Sequence, residues 1–540
     1  MLLLKKVKNR WVGGLILIYF IYFAMNVWVL SQDNIYPLYD SSETVGRGYK
    51  IANDLLTGRL SYPWIEDQYN HSPFVSYILS LNIILFGGDI DILMHTNMLF
   101  LAILIYALYN LGKIIADRSV GFLSSVICLS FPVVIGFSRI MWNEFPIMCV
   151  VALSYYFLFK TNYFTDRKYS LFWSVSIACG LLIRFTMLLY VAVPVFLYIM
   201  KAFLIRKDCR DLIRRLLLCF AVIFLLSGWW YMLRIKDVLA LRLNLLADGS
   251  LNIYNNVRHA YKFLCNRSIY GPLFILFLFS FPFLFLKRTF EKFVIIVGVL
   301  MPILIFIFSP HASGFNSNRY FIPILPLIAL SIANLVSLIS RKVFRRLTVF
   351  ILVVFCSIQF ILININQGDS LKFSKDKHRE FGIDIVEQGK IKPYMSKINF
   401  EGLLTLIDKE KKTEVVNLVF LGNFPHINGF FDIEAGKRGE LIDIFPSVQN
   451  IMGGGSQSHF DNPHVFKEAE FVIALEDKQN LFKESRAYHR MYLIPKMTSF
   501  FNVHRNDYRK IAVFKDEYGG RAGLFQKKIL KQNNIKDSNS

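Results

Sequence analysis

Sulfur is scarce in this chain and placed where it does little covalent work. Its 540 residues hold seven cysteines (128, 149, 179, 209, 219, 265 and 356), all in or beside apolar runs and none in the last 175 residues. No two are spaced as CxxC, so neither a zinc site nor a disulfide framework is implied. Small buried apolar residues are the role that this placement fits. Charge is also thin, at 19% of residues, where an average soluble domain carries about a quarter. The formal net charge of +22 is not gathered into the basic face or stripe that a nucleic-acid binder needs. No small-x-small cleavage site follows the first apolar run, which at about 20 residues is too long for the h-region of a signal peptide. Lys5, Lys6, Lys8 and Arg10 are therefore expected to precede an uncleaved first span.

Apolar and aromatic residues are abundant instead, at 54% and 16%. They come in runs of about 20, the length that crosses a hydrocarbon core of roughly 30 Å. The runs 11–31, 93–112, 119–137, 144–160, 169–184, 186–204, 216–233, 272–286, 290–309, 320–340 and 347–365 predict about 11 transmembrane helices. The boundary at Arg184 is soft. Segment 73–87 is apolar but only about 15 residues long, so it reads either as one more span or as a helix lying at the interface.

Lysine and arginine decide between the two. Without a crossing at 73–87, six short stretches on one side hold 22 positive residues: 5–10, 113–118, 160–168, 201–215, 287–292 and 341–346. The longer loops opposite hold 12. A crossing there would reverse every later loop and put most positive charge outside, against the positive-inside rule. The expected arrangement is a multi-pass membrane protein with a cytoplasmic N-terminus. Residues 1–365 form its membrane domain, with a first outer loop at 32–92. Residues 366–530 form an extracytoplasmic mixed α/β domain, with strand-like runs at 415–421, 470–475 and 511–514, and 531–540 is a disordered tail.

This topology places Asp40, Glu43, Glu144, Arg184, His311 and Arg319 on one outer face. A carboxylate at the bilayer edge is costly unless solvated or paired, which makes Glu144 a functional candidate; its plainer reading is a surface-anchoring or capping acid. Asp40 and Glu43 open a helix that Ser41 or Ser42 can cap and Gly58 stops, so the plain reading there is an N-terminal acid favoured by the helix dipole. Arg184 and Arg319 are either interfacial anchors or guanidinium clamps for a phosphate. His71 and His311 are scattered, and support a divalent metal only weakly.

The order of these pieces resembles the glycosyltransferase C superfamily, in particular its bacterial polyprenyl-phosphate-sugar branch similar to protein O-mannosyltransferases and lipid A aminoarabinose transferases. The segment Ser138-Arg139-Ile140-Met141-Trp142-Asn143-Glu144-Phe145-Pro146 resembles the family's Ser-Arg-(x)4-Asp-x-Pro stretch, with glutamate for aspartate. Gly180 to Thr186 resembles its Gly-Leu…Lys/Arg-x-Thr stretch. Arg319-Tyr320-Phe321-Ile322-Pro323-Ile324-Leu325-Pro326 resembles its Arg-Tyr-x-x-Pro-x-x-Pro stretch. His71-Ser72-Pro73-Phe74 stands for a Pro-Pro-Leu interfacial piece, with one proline replaced. The likeness covers roughly 11–340 and leaves 366–540 without a motif.

The resemblance implies transfer of a sugar from a polyprenyl-phosphate donor to a glycan, lipid or protein acceptor, with inversion at the outer face and no required cofactor. It implies a carboxylate base at Asp40 or Glu43, with Asp40 favoured because it directly follows Pro37-Leu38-Tyr39. Glu144 would be its partner, Arg319 and Arg184 the donor-phosphate ligands, and His71, Pro73 and Tyr320 part of the loop and lipid groove. Two other classes fit a polytopic chain. A lipid-linked sugar flippase would show repeat halves and broken mid-bilayer helices. A lipid-linked glycan polymerase or ligase would carry its key residues in one late outer loop.

Overall fold

A computed structural model describes residues 10–31, 40–58, 73–206, 208–233, 252–269, 271–283, 289–309, 317–365, 400–410, 418–421, 444–445, 471–475, 503, 505–515 and 521–528. The chain divides into two compact units, Met1–His378 with Ile383–Tyr394, and Arg379–Gly382 with Met395–Ser540.

The first unit is helical, as apolar runs in a bilayer must be once each backbone group has to find its partner within its own segment. Every expected run is met by helix within its described residues. Among the described residues, seven segments are long and apolar enough to cross a membrane: Trp11–Leu30, Ile90–Ile115, Met187–Ile205, Cys209–Leu233, Phe290–Ile307, Arg319–Leu338 and Lys342–Asn364. Glu144–Lys160, Arg167–Ile183 and Gly271–Phe283 are shorter helices, and run 119–137 is split into Arg118–Ser130 and Pro132–Phe137. The chain is a polytopic helical membrane protein.

Breaks fall where local chemistry forces them. Pro132 has no N–H to continue the preceding helix, and Phe131 before it is extended at ψ 128°. Arg184 is likewise extended (φ −163°, ψ 136°), ending Arg167–Ile183 before Met187–Ile205 begins. Helices Asn97–Ile115 and Arg118–Ser130 are joined by a tight turn at Asp117, whose carboxylate accepts from the Ser119 and Val120 amides. These two helices approach so closely that a Cβ on Gly112 would stand 2.3 Å from Gly121 Cα. Glycine is what allows backbones to meet at that distance.

Segment 73–87 resolves as the helix Phe74–Phe86. Its 13 residues reach about 20 Å at 1.5 Å per residue, short of the roughly 30 Å of a hydrocarbon core. It packs on Asp40–Leu56, where Ser76 Oγ donates to the Thr44 carbonyl at 3.1 Å. The expectation that Ser41 or Ser42 caps that helix is corrected: it begins at Asp40, so both serines lie inside its first turn. Its other end stops at Leu56, just before Gly58 at φ +67°.

Among the described residues of the second unit, Phe400–Glu410 is helical and five strands form one mixed sheet: β1 Leu418–Leu421, β2 Ile444–Phe445, β3 Phe471–Leu475, β4 Tyr508–Lys515 and β5 Arg521–Lys527. The order is β2-β1-β3-β5-β4. β1 runs parallel to β2 and β3, while β5 pairs antiparallel with β3 and β4. A register shift between Lys510 and Ala512 marks a bulge in β4. Gln526 of β5 donates to the Glu410 carbonyl, and Arg509 of β4 pairs with the Glu410 carboxylate. Of the expected strand-like runs, 418–421, 471–475 and 511–514 fall on β1, β3 and β4, and 415–417 and 470 lie outside the described residues. The expected tail at 531–540 lies outside the described residues.

Candidate active site

Glu144 opens the helix Glu144–Lys160. An acid in the first turn meets the positive end of the helix dipole, and Pro146 in that turn gives up an amide that has no intrahelical partner. These local preferences put a carboxylate at the start of a buried helix. At 2% exposure Glu144 is not a surface-anchoring acid.

Two cations meet it there. Arg184, at the break between Arg167–Ile183 and Met187–Ile205, donates from its guanidinium to Glu144 Oε1. Arg319 lies in the 3-10 helix Ser317–Ile324, and its Nε stands 3.2 Å from the same oxygen. Both guanidiniums also lie over aromatic faces, Arg184 at 5.4 Å from the Tyr320 ring centroid and Arg319 at 5.5 Å from that of Trp142. Such contacts gain strength when the cation is desolvated. Glu144 Oε2 is buried without a hydrogen-bond partner among the described residues. Two positive groups on one carboxylate leave this trio with surplus positive charge. Planar guanidiniums suit a phosphate oxyanion.

The turn before Glu144 is held from several directions. Asn97 Nδ2 donates to the carbonyls of Phe137 (3.2 Å) and Ile140 (2.7 Å). The Met141 amide donates to Ser41 Oγ at 3.1 Å. That bond docks the start of the Asp40–Leu56 helix onto the segment that carries Glu144. Arg139, five residues before Glu144, enters a different cluster. It is 4% exposed; its Nε donates to Asn26 Oδ1 at 2.9 Å, and another guanidinium N–H goes to Asn364 Oδ1. Asn26 Nδ2 and the Tyr22 hydroxyl both donate to Ser138 Oγ, at 3.0 and 3.2 Å.

Glu144, Arg184, Arg319 and Tyr320 are thus brought together. Asp40 and Glu43 share the first turn of a helix whose neighbouring serine touches the Glu144 segment, and their carboxylate positions lie outside the described residues. Pro73 directly precedes Phe74–Phe86, and His71 and His311 lie outside the described residues. Among the described residues no three His, Cys, Asp or Glu side chains converge as a metal site would need.

Sequence reasoning missed several members of this site. Trp142 stood inside a quoted motif but offered no reason to expect a cation on its face. Asn26 and Asn364 were visible as lone amides in apolar runs, a costly placement in a bilayer unless a partner is found. Tyr190 gave no signal, since a tyrosine among Leu189, Val191 and Val193 is ordinary core composition.

The family described as dolichyl-phosphate-mannose-protein mannosyltransferase matches residues 70–231. A search of the curated proteins finds no match. Among solved structures, ArnT from Cupriavidus metallidurans bound to undecaprenyl phosphate is similar at a TM-score of 0.61 and 11% identity, over 96% of this chain and 98% of that one. The same protein in the apo state gives 0.57 and 11%, over 95% of this chain and 98% of that one. The Archaeoglobus fulgidus oligosaccharyltransferase in the apo form is similar at 0.55 and 12%, over 87% of this chain and 70% of that one. The family match covers the helix Phe74–Phe86, the Ser138–Pro146 segment and Arg184, and the fold likeness runs along nearly the whole chain. Residues 70–231 are thus similar to the protein mannosyltransferase family, and the chain shares the fold of ArnT and of the archaeal oligosaccharyltransferase.

Proposed function

We propose that the protein is a glycosyltransferase that moves a sugar from a polyprenyl-phosphate donor to an acceptor at the outer face of a bacterial inner membrane. The acceptor oxygen attacks the anomeric carbon on the face opposite the phosphate. A new C–O bond forms as the bond from that carbon to the phosphate oxygen breaks, which inverts the centre. The acceptor proton passes to a carboxylate, and polyprenyl phosphate leaves with the bonding pair.

Asp40 is the base in this scheme, with Glu43 as the other carboxylate of the same helix turn. Arg184 and Arg319 receive the charge that grows on the leaving phosphate, where fixed cations in a water-poor site act most strongly. Glu144 is the spacer that lets two guanidiniums share one small region without repulsion. The scheme draws on the chain's own carboxylates and guanidiniums and assigns no step to a metal or cofactor. Residue 73 onward and Tyr320 would border the groove for the lipid tail.

The observation that carries this reading is the convergence of Arg184 and Arg319 on one buried carboxylate, next to the docking of Ser41 on Met141. The test is release of polyprenyl phosphate from a polyprenyl-phosphate sugar by purified protein, with acceptors chosen by mass spectrometry of surface glycans, lipids and glycoproteins from a deletion strain. Asp40→Asn should lower turnover by roughly 10²- to 10⁴-fold, the usual worth of a general base, in protein that still inserts and elutes as wild type. Glu144→Gln should lose most activity as well. Full activity in Asp40→Asn with loss in Glu43→Gln would move the base to Glu43. Full activity in both single variants would remove the carboxylate-base mechanism.

A further inference from the structure

The two guanidiniums come from segments far apart in the chain, and something must hold them at a fixed spacing. Arg184 ends one helix, and the next, Met187–Ile205, begins three residues later. Arg319 and Tyr320 ride on the 3-10 helix Ser317–Ile324. Tyr190, in the first turn of Met187–Ile205, reaches across: its hydroxyl donates to the Tyr320 carbonyl at 2.9 Å. The Tyr190 carbonyl in turn accepts from the Tyr155 hydroxyl at 2.8 Å. Both tyrosines are 1% exposed. Where the Tyr155 hydroxyl lies, the facing helix Phe290–Ile307 carries Gly298, and a Cβ there would stand 2.0 Å from that oxygen.

We infer that Tyr190 is a positioning residue for the anion clamp, and that Tyr155 and the space left by Gly298 set its place. The relay ties the segment that carries Arg184 to the segment that carries Arg319 through a carbonyl next to Arg319. A 3-10 helix makes poorer hydrogen bonds than an α-helix, so an outside donor to one of its carbonyls has more to fix. Loss of that donor strands a carbonyl and frees the turn. The spacing of the two guanidiniums then becomes a distribution in place of one value. The ligand most sensitive to that spacing is one that both cations must hold at once, the phosphate of the lipid. The inference rests on the reading of Arg184 and Arg319 as phosphate ligands.

The probe is undecaprenyl phosphate, titrated into full-length protein in detergent micelles, with thermal unfolding followed in parallel. Arg319→Ala tests the clamp, and Tyr190→Phe and Tyr155→Phe test the relay; both phenylalanine variants keep the ring that fills the core. Tyr190→Phe should weaken affinity about three- to tenfold, on the scale of one hydrogen bond. Tyr155→Phe should weaken it less, and Arg319→Ala more than either. Unchanged affinity in Arg319→Ala overturns the clamp itself. A weakened Arg319→Ala beside an unchanged Tyr190→Phe overturns the relay and leaves the clamp standing. A Tyr190→Phe protein with a lower unfolding temperature but wild-type affinity gives Tyr190 a purely structural role, which also overturns the proposal.

Discussion

Arg139 and Glu144 stand five residues apart in one short segment, yet their side chains serve two separate clusters. The sequence motif groups them, and the fold divides them. Glu144 was legible because a buried acid demands an explanation and the motif supplied one. The function of Arg139 was not legible, since its partners Asn26 and Asn364 lie at opposite ends of the membrane unit, and no local periodicity links them. Its buried guanidinium satisfies two amide oxygens that would otherwise be stranded. Arg139→Leu removes a costly buried charge but leaves both acceptors without that donor, each at about 1–3 kcal/mol. The second effect should win, since the guanidinium's own burial cost is already offset by charge-assisted bonds. A net loss of about 2 kcal/mol is expected, read as a lower unfolding temperature in detergent. A variant as stable as wild type would show that the cluster is not a stabilising one.

At the scale of elements, the apolar runs announced the helices because a bilayer leaves few alternatives. Their breaks were less visible. Pro132 is a plain signal that the reading of 119–137 as one run passed over. The break at Arg184 left only a soft boundary, and the docking of Ser41 on Met141 left none, since both depend on what another element offers. The turn at Asp117 shows how such a junction is held. Burial raises the Asp117 carboxyl, but bonds from Arg345, Ser119 and the Val120 amide outweigh it and hold the group below the usual carboxylate range. A lowered folded value stabilises the protein above the unfolded value of about 3.9, and that stabilisation is lost as pH falls through the folded value. With its side chain 39% exposed, solvent screening keeps the worth of the charge to under about 1 kcal/mol. Asp117→Asn preserves an N-cap of similar strength and removes only the charge. Wild type should therefore unfold at a slightly higher temperature than Asp117→Asn at pH 7, and the two should converge as pH falls through the lowered folded value. A gap that does not narrow as pH is lowered would show that the cap geometry, not the charge, is what the substitution disturbs.

At the scale of the whole molecule, the class of protein was legible in composition alone, while the second unit was read only in outline. β1, β3 and β4 had short strand-like runs to announce them. β5 (Arg521–Lys527) begins and ends in basic residues and follows Gly519-Gly520, so it reads as a loop until its pairing with β3 and β4 is seen. The side of the membrane that each loop faces is a matter of lysine and arginine placement, and the cysteines provide its test. Of the seven cysteines only Cys209 is exposed; Cys179 is half-buried and the rest are buried. Cys209 begins the helix Cys209–Ile223, within the 201–215 stretch that carries six of the positive residues assigned to the cytoplasmic side. A membrane-impermeant maleimide should therefore leave Cys209 unlabelled in right-side-out vesicles and label it in inverted ones, with Cys209→Ser as the blank. The reverse pattern would turn over every loop, because the spans on either side are helical and fix their neighbours in alternation. It would also move the Glu144, Arg184 and Arg319 cluster to the cytoplasmic face, where a donor loaded on the outer leaflet could not reach it.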